Sequence, residues 1–456
     1  MQREKLGSRL GFILLSAGCA IGIGNVWKFP WMAKENGGGI FVLIYLIFLI
    51  AFGVPVMTME FSVGRAAQKS PVKIYNQLEP KGSKWHLHGY LAMGGNYLLM
   101  MFYTCVSGWM LNYFFSTATG KFENKNPEQI ATAFDNMKAD PVQQILFMGI
   151  VVVIGFAVCS FGVQKGLERV TKYMMLALLA IIVVLAVNSI MLEGGEKGLE
   201  EYLIPDFTKM NTPTKAINII TGAMTQAFFT LSIGIGSMAI FGSYIGKDRS
   251  LLGESVNIAL LDTFVALMSG LIIFPAASAF KINGTMAGPD LIFVTLPNIF
   301  NNMPLGRLWG SLFFVFMSFA AFSTIFAVFE NIVACCTDLF KISRKKACII
   351  NTFVMFVLSL PCALGDSLFK SFKPFGKGTG VLDLEDFIVS DLMLPIGALI
   401  FILFCVTKYG WGWKNFKEEA NMGKGLKIKN WMRGYLTFVL PVIVIILLIS
   451  RILSKF

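Results

Sequence analysis

The sequence predicts an all-α protein that crosses a membrane many times. Of its 456 residues, 55% are hydrophobic and only 14% are charged. A soluble domain has about 25% charged residues, whereas apolar stretches of about 20 residues, the length that a helix needs to cross the hydrocarbon core, recur here from end to end. We therefore expect one polytopic membrane domain that spans residues 1–456, and no soluble domain.

Apolar segments bracketed by charged residues are the candidate transmembrane helices, and we count eleven. They cover about residues 10–34, 38–64, 88–119, 142–161, 167–191, 216–242, 253–281, 306–338, 346–364, 387–408 and 433–452. Counted from a cytoplasmic N-terminus, the inside loops hold most of the 39 Lys and Arg, which is the usual bias of membrane proteins. We expect a multi-pass protein of the plasma (inner) membrane, with its N-terminus in the cytoplasm and, because the count is odd, its C-terminus outside.

The charge and cysteine patterns exclude several other classes of protein. The basic start MQREKLGSRLG is interpreted as a retained tail, since no small-residue cleavage site follows it. The net charge of +12 is explained by the loops, so we expect a lipid bilayer and no nucleic acid as partner. The eight Cys form no CxxC pair and there are only two His, which argues against a disulfide scaffold and a zinc site.

Segments 1 and 6 differ from ordinary spanning helices. Residues 16–25 read SAGCAIGIGN and residues 226–237 read QAFFTLSIGIGS. Glycine weakens a helix by about 1 kcal/mol relative to alanine, and backbone groups freed in hydrocarbon must find other partners. Close packing of two helices through small residues, such as the spaced pair Gly18 and Gly22, is the alternative interpretation.

The matching positions of these two segments favour a transporter. They begin two halves of five helices each, residues 10–191 and 216–408, and an extra helix follows at 433–452. Interrupted helices at corresponding places in inverted repeats indicate a binding site near the middle of the membrane.

Three stretches resemble the neurotransmitter:sodium symporter family over essentially the whole chain. They read GSRLGFILLSAGCAIGIGNVWKFPWMAKENGGGIFVLIYLI, QAFFTLSIGIGSMAIFGSYIGKD and SFAAFSTIFAVFENIVACCTD. The resemblance implies the leucine-transporter-type fold, a 5+5 inverted repeat with broken helices 1 and 6. It also implies sodium-coupled import of an amino acid by alternating access. Short loops are typical of the bacterial branch, and the chain most resembles an eleven-helix, tyrosine-carrying member of it.

The family's two sodium sites can be carried over onto this sequence. Sodium is a hard cation that prefers oxygen ligands. The resemblance implies that the first ion binds the substrate carboxylate and oxygens of Ala20, Asn25, Thr230 and Asp262. It implies that the second ion binds oxygens of Gly18, Ile21, Ala320, Ser323 and Thr324. Taken alone, a Ser-Thr pair in a membrane helix more often bonds to its own backbone.

The substrate pocket follows from the same resemblance. Its expected lining is Cys19, Ala20, Gly22, Ile23, Gly24, Leu99, Tyr103, Phe229, Thr230, Ser232, Ile235, Thr324 and Val328. Members that carry monoamines have Asp in place of Gly22, so glycine implies a substrate with its own carboxylate, an α-amino acid. Ile235 stands where a leucine-carrying member has Phe, and Val328 where it has Ile. The wider pocket favours an aromatic amino acid such as tyrosine, with a large aliphatic one as the fallback.

Asp262 is the most informative single residue. An unpaired aspartate inside a membrane costs about 2.5–3.5 kcal/mol on insertion scales, so it needs a partner. A buried salt bridge and a protonated carboxyl are the structural alternatives. The resemblance places Asp262 where the family usually has Asn, beside residues that match a chloride site: Tyr45, Gln226, Thr230 and, in place of a Ser, Ala266. A fixed carboxylate there implies chloride-independent transport.

Two gates are also implied by the resemblance. On the outside, Tyr103 and Phe229 would form a lid, and Lys28 and Asp386 would form an ion pair beyond it. Lys28 stands where the family usually has Arg, and a lysine cannot form the bidentate contact that arginine makes with a carboxylate. Inside, an Arg3–Asp338 pair lies near Ser243 and Tyr244, and Leu6 stands in place of a packed Trp. Glu60 and Glu330 are interpreted as structural partners within the helix bundle.

Four other kinds of function remain to be weighed. A channel needs a continuous polar stripe or a repeated filter, whereas the polar residues here cluster at two breaks. A proton-coupled carrier could use Asp262 and Glu60, but the oxygen-rich breaks favour sodium. An enzyme is not expected, because no motif carries chemistry. A non-transporting sensor would keep the same pocket, so only a flux measurement separates it from a carrier. The sequence does not determine the oligomeric state.

Overall fold

The computed structural model describes residue 4 and residues 6–280 and 288–455. Among these residues it contains helices and no strand. Nine of the described helices are long and apolar enough to cross a membrane, or ten if one bent pair counts as a single span. The all-α membrane fold predicted from composition is therefore confirmed.

The principal helices are labelled here in chain order. They are α1 (Arg9–Ala20), α2 (Gly24–Glu35), α3 (Gly39–Ala67), α4 (His86–Ala118), α5 (Pro141–Ser160), α6 (Val163–Ile190), α7 (Pro213–Thr230), α8 (Ser237–Gly242), α9 (Leu251–Ala279), α10 (Gly306–Phe340), α11 (Arg344–Ala363), α12 (Val381–Val406) and α13 (Met432–Leu453). Shorter helices in the connections include Pro71–Leu78, Pro127–Ala139, Glu196–Leu203 and Trp413–Ala420.

Two predicted segments differ from the helices observed. Segment 216–242 forms two helices, α7 and α8, and neither alone counts as a spanning helix, so the total of eleven stays a prediction. The predicted start at residue 387 is wrong, because α12 begins at Val381. Its first turns carry the acidic residues Asp383, Glu385 and Asp386. Because such charged residues are typical of loops, the predicted helix starts after them.

Helix starts follow the expected capping chemistry. The Ser8 hydroxyl accepts a hydrogen bond from the Gly11 N–H at the start of α1, and the Asp140 carboxylate accepts from the N–H groups of Val142 and Gln143 at the start of α5. Such caps satisfy backbone donors that lack a partner within the helix. Hydrogen bonds from Gln143 hold the pKa of Asp140 below its usual value.

The first interruption separates α1 from α2. The two helices are bent by 56° across residues 21–23. Their freed backbone donors are satisfied locally: the Gly22 N–H donates to Asn25 Oδ1 at 3.1 Å, and the Ile23 N–H donates to the Tyr103 hydroxyl at 3.1 Å. Side chains thus replace the missing helical hydrogen bonds, as an interruption in hydrocarbon requires.

The second interruption lies between α7 and α8. Gly234 and Gly236 have φ of 106° and 75°, a region that other residues rarely adopt. A Cβ at Gly234 would also lie 2.1 Å from the Leu394 carbonyl oxygen. The Gly234 N–H donates to Glu60 Oε1 at 2.5 Å, and the Ile235 carbonyl accepts from Asn96 Nδ2 at 2.9 Å. Glycine is therefore needed here for both conformation and space.

The helices divide into a central group and a peripheral group. In its most apolar stretch, α10 has 83% of its residues buried, whereas α13 has 28%. α10 packs against α4, α1 and α6. Both interruptions consequently lie in the protein interior, against α4 and α10, and this is where the candidate site forms.

Candidate substrate and sodium sites

The end of α1 lies against α10, which brings together the residues predicted for the second sodium ion. The Ser323 hydroxyl lies 3.2 Å from the Ile21 carbonyl and 2.8 Å from the Ala320 carbonyl. The Thr324 hydroxyl lies 3.3 Å from the Gly18 carbonyl and 3.4 Å from the Ile21 carbonyl. All five predicted residues are thus within one cluster of neutral oxygens.

This cluster fits a small hard cation. Ser323 and Thr324 are buried, and neutral hydroxyls and carbonyls are suitable ligands for such an ion. The close approach of α1 depends on Gly18, because a Cβ there would lie 3.1 Å from Ser323 Cβ. The residues can therefore hold sodium between the end of α1 and the middle of α10.

The residues predicted for the first sodium ion surround Asp262 of α9. Asn25 Nδ2 donates to Asp262 Oδ1 at 2.7 Å and to Thr230 Oγ1 at 3.0 Å. The Thr230 hydroxyl donates to Asp262 Oδ2 at 2.9 Å. Ala20, the remaining residue of the set, is buried at the last position of α1. Three helical elements, α2, α7 and α9, thus bring their polar groups to one point.

Asp262 has no Lys or Arg partner in the described part of the chain, and its side chain is fully buried. The salt-bridge alternative therefore finds no support in the observed contacts. A buried carboxylate is costly unless it is paired or protonated. The two hydrogen bonds from Asn25 and Thr230 offset part of this cost, and a cation bound among the same oxygens would offset more. The donor set therefore fits sodium.

Residues that match the family's chloride site adjoin the same carboxylate. The Tyr45 hydroxyl lies 3.5 Å from Asp262 Oδ2. Gln226 Nε2 donates to the Gly24 carbonyl at 3.2 Å, while the Gln226 side-chain oxygen has no hydrogen-bond partner among the described residues. Ala266 is buried on the same helix as Asp262. The Asp262 carboxyl group is thus in contact with Tyr45 and Thr230 of this set.

Glycines allow close packing beside the first interruption. A Cβ at Gly22 would lie 2.5 Å from the Tyr103 hydroxyl and 2.6 Å from Thr324 Oγ1. A Cβ at Gly24 would lie 2.4 Å from the Phe229 ring. Any side chain at these two positions would require neighbouring groups to move. Tyr103, Thr324 and Phe229 therefore pack directly against the backbone of the first interruption.

The remaining predicted lining residues come from four elements. The Ser232 hydroxyl donates to the Cys19 carbonyl at 3.1 Å and joins the two interruptions. The other lining residues on α4, α10 and the second interruption are buried: Leu99, Tyr103, Ile235 and Val328. Leu99 and Tyr103 belong to α4 and Val328 belongs to α10, and both helices are continuous.

The structure adds Asn96 to the residues that sequence reasoning selected. Asn96 Nδ2 donates to the Ile235 carbonyl, and Asn96 Oδ1 accepts from Ser237 Oγ at 3.3 Å and from Asn331 Nδ2 at 3.2 Å. This amide links α4 and α10 to the second interruption. An asparagine in the middle of an apolar segment was the available signal, because such residues rarely lack a partner.

The outer-gate residues lie above the pocket. Lys28 Nζ is 3.7 Å from Asp386 Oδ2 and 4.0 Å from the centre of the Phe229 ring. Asp386 Oδ1 also accepts from the Ser390 hydroxyl at 2.5 Å. The lid residue Phe229 and the lysine of the predicted pair are therefore in direct contact.

The inner-gate prediction is only partly within the described residues. Arg3 lies outside them. Asp338 Oδ2 accepts from the Ser70 N–H at 2.8 Å, and the Tyr244 hydroxyl donates to Glu330 Oε1 at 2.5 Å. Arg344 forms an ion pair with the same Glu330 carboxylate.

The tail before α1 is held at the starts of two helices. The Gly7 N–H and the Ser8 hydroxyl donate to the carboxylate of Glu168 on α6 at 2.7 and 2.9 Å. Arg9 Nε lies 3.0 Å from Glu254 Oε1 on α9. These contacts fix the position of α1 on the side opposite the outer gate.

Comparisons with known proteins place the chain in a family. A model of the sodium:neurotransmitter symporter family matches residues 3–138 and 128–455. The chain is 34% identical over 451 residues to YhdH, an uncharacterized sodium-dependent transporter of Bacillus subtilis, and the match covers 98% of this chain and 97% of that one. It is 25% identical over 495 residues to the human sodium- and chloride-dependent taurine transporter, with 97% and 77% covered.

A solved structure agrees with these sequence matches. The crystal structure of MhsT in complex with L-phenylalanine superposes with a TM-score of 0.87 at 33% identity, covering 98% of this chain and 100% of that one. The matched proteins are transporters, not enzymes, and the family is defined by its use of sodium. The chain thus belongs to the sodium:neurotransmitter symporter family, as a multi-pass, sodium-dependent membrane transporter.

Proposed function

We propose that this transporter imports an aromatic amino acid such as tyrosine together with sodium, without a need for chloride. The observation that carries the substrate class is the lack of space for a side chain at Gly22, where a Cβ would lie 2.5 Å from the Tyr103 hydroxyl. No acidic side chain fits there to meet a substrate amine. The negative charge that an aspartate supplies at this position in monoamine carriers must then come from the substrate, as in an α-amino acid.

The proposed pocket orients that amino acid by its two charged groups. The carboxylate would lie near the N–H groups of Gly22 and Gly24 and the Tyr103 hydroxyl, since helix N-termini attract negative charge. The ammonium group would meet carbonyls near Ala20 and Phe229. This pose needs no charged side chain of the protein to contact the substrate directly.

An aromatic side chain is favoured by the size of the pocket. Ile235 and Val328, the residues that replace larger ones, are both buried. The related MhsT was solved with L-phenylalanine, which supports the same class of substrate. A large aliphatic amino acid is the fallback.

Two sodium ions are proposed, one in each oxygen cluster. The first would bind at Ala20, Asn25, Thr230 and Asp262, and the second at Gly18, Ile21, Ala320, Ser323 and Thr324. Asp262 is proposed to supply the negative charge that chloride supplies in the chloride-dependent relatives. Its hydrogen bonds from Asn25 and Thr230 keep that charge fixed beside the first ion.

Transport would proceed by alternating access between two five-helix repeats, residues 10–191 and 216–408, with residues 433–452 as an added helix. The lid of Tyr103 and Phe229 and the Lys28–Asp386 pair would close the outside. Arg3, Asp338 and Tyr244 would close the cytoplasmic side. Exposed ion pairs contribute about 1 kcal/mol or less, which suits gates that open in every cycle. The N-terminus is proposed to be cytoplasmic and the C-terminus external.

A proton-coupled carrier is the second candidate, because two buried carboxylates, Asp262 and Glu60, have no cationic partner among the described residues. Glu60 Oε2 has no hydrogen-bond partner there either. Such groups could exchange protons during transport. A sensor that binds without transporting is a third candidate.

Uptake of radiolabelled tyrosine into proteoliposomes tests all three. A sodium, potassium or proton gradient is imposed in parallel, and chloride is replaced by gluconate in a matched set. Uptake that requires sodium, ignores chloride and is competed by phenylalanine and tryptophan supports the proposal. Uptake driven by protons alone supports the second candidate. Sodium-dependent binding without flux supports the sensor.

A further inference from the structure

A second cavity, distinct from the substrate pocket, opens on the side of the outer gate. It has a volume of about 680 Å³ and lies between α2, α7 and the end of α13. Its basic lining residues are Lys28, Lys34, Lys209, Lys215 and Arg451. Glu35 is the one acidic side chain that the described residues contribute to this lining. Such an excess of positive charge attracts an anion.

Part of this charge lacks compensation. Lys34 and Lys209 share one carboxylate, that of Glu201, at 2.6 and 3.7 Å. Lys215 is exposed and forms no ion pair within the described chain. Two lysines that share one acid, together with one unpaired lysine, leave more positive than negative charge on this wall.

The other two basic residues have weaker or divided partners. Lys28 Nζ is 3.7 Å from Asp386, beyond hydrogen-bond distance. Arg451 Nε is 3.3 Å from Asp391 and donates a shorter bond, of 2.7 Å, to the Thr225 hydroxyl. Lys28 can thus face an additional anion without losing an optimal ion pair.

The mouth of the cavity continues into an apolar surface. Along α13, Ile446, Ile449 and Leu453 are 55%, 51% and 73% exposed. Ile217 at the start of α7 is 57% exposed and belongs to the cavity lining. Trp31 also lines it, and tryptophan is common where a protein meets the membrane interface. Ser450, which also lines the cavity, lies one helical turn from Ile446 and Leu453, so the basic pocket adjoins this exposed apolar strip.

We propose that this cavity binds the phosphate headgroup of an anionic phospholipid, with the acyl chains along the exposed face of α13. Basic pockets beside membrane helices are suited to such headgroups. The lipid would connect α13, which lies at the periphery, to α2 and α7, which carry Lys28 and Phe229 of the proposed outer gate. A free phosphate ion would satisfy the charge but would leave the apolar strip unused.

Native mass spectrometry of the detergent-purified protein tests the proposal. The probes are dioctanoyl phosphatidylglycerol, dioctanoyl phosphatidylcholine and inorganic phosphate. Lys215→Gln removes the unpaired charge at an exposed position, so the fold should be kept. Lys346→Gln, an exposed lysine at the start of α11, is the matched control. We expect the anionic lipid to bind more tightly than phosphatidylcholine, and Lys215→Gln to weaken it about fivefold.

The remaining outcomes decide against the proposal. Equal binding of the two lipids would refute a charge-selective site. An equal loss in Lys215→Gln and Lys346→Gln would show a general effect of surface charge. Displacement of the lipid by inorganic phosphate at the same concentration would assign the site to a free anion instead. None of these outcomes depends on which amino acid is transported.

Discussion

Replacement of Gly22 by alanine tests the proposed substrate position most directly. The added Cβ would lie 2.5 Å from the Tyr103 hydroxyl and 2.6 Å from Thr324 Oγ1, so at least one of these groups must move. Gly22 does not have a positive φ, and alanine can therefore adopt its backbone conformation. The effect should thus arise from crowding rather than from backbone strain.

The expected magnitude follows from this crowding. Overpacking a filled site typically costs about 1–3 kcal/mol, and each 1.4 kcal/mol is a factor of ten in affinity. Because the methyl group would displace the Tyr103 hydroxyl, a proposed contact of the substrate carboxylate, we expect tyrosine affinity to fall about 5- to 150-fold. Displacement of Tyr103 would also weaken its hydrogen bond with the Ile23 N–H.

The assay is equilibrium binding of radiolabelled tyrosine at saturating sodium, followed by uptake into proteoliposomes. Gly94→Ala is the matched control, since a Cβ at this α4 glycine has no atom within 4 Å. This control should bind like the wild type. A Gly22→Ala protein that binds tyrosine within twofold of the wild type would refute the assignment of the carboxylate to this space.

Three further predictions concern the sodium sites and the second interruption. Asp262→Ser should make uptake respond to chloride, with about a tenfold decrease in gluconate that chloride reverses, because loss of a charge-assisted contact costs about 1.5 kcal/mol or more. Ser323→Ala should raise the sodium concentration for half-maximal tyrosine binding about tenfold, because it removes one proposed ligand. Asn96→Leu should lower tyrosine affinity and the thermal unfolding midpoint, since it leaves the Ile235 carbonyl unpaired at a cost of about 1–3 kcal/mol.

Each of these variants has a control or an outcome that contradicts it. An Asp262→Ser protein with full, chloride-insensitive uptake would count against a role for this carboxylate in place of chloride. Ser318→Ala removes a hydroxyl whose partner among the described residues is the Phe314 carbonyl on the same helix, and it should leave the sodium dependence unchanged. An Asn96→Leu protein with wild-type affinity and stability would show that the Asn96 amide does not position Ile235.

The residue types in the sequence determined the fold class and much of the site. Apolar stretches long enough to cross a membrane predict spanning helices without reference to any contact. The glycines at 22, 24, 234 and 236 marked both interruptions, because glycine is unfavourable in a helix interior. Asp262 was conspicuous for a similar reason, since a carboxylate within an apolar segment requires a partner.

Other features could not be read from local pattern. The start of α12 was misplaced because acidic residues such as Glu385 resemble a loop until the neighbouring helices bury them. Asn96 was overlooked because its partners, Ile235 and Asn331, are distant in sequence. The basic cavity combines residues from the start and the end of the chain, Lys28 and Arg451 among them.

The sequence by itself thus determined which residues can cross a membrane, where helices break and which polar groups need partners. These properties depend on residue type and short-range spacing. Only the tertiary structure decided which partner each group receives, such as Asn25 and Thr230 for Asp262. It also decided that Gly22 has no room for a side chain. Both depend on distances between helices that are far apart in the chain, and no local pattern encodes such distances.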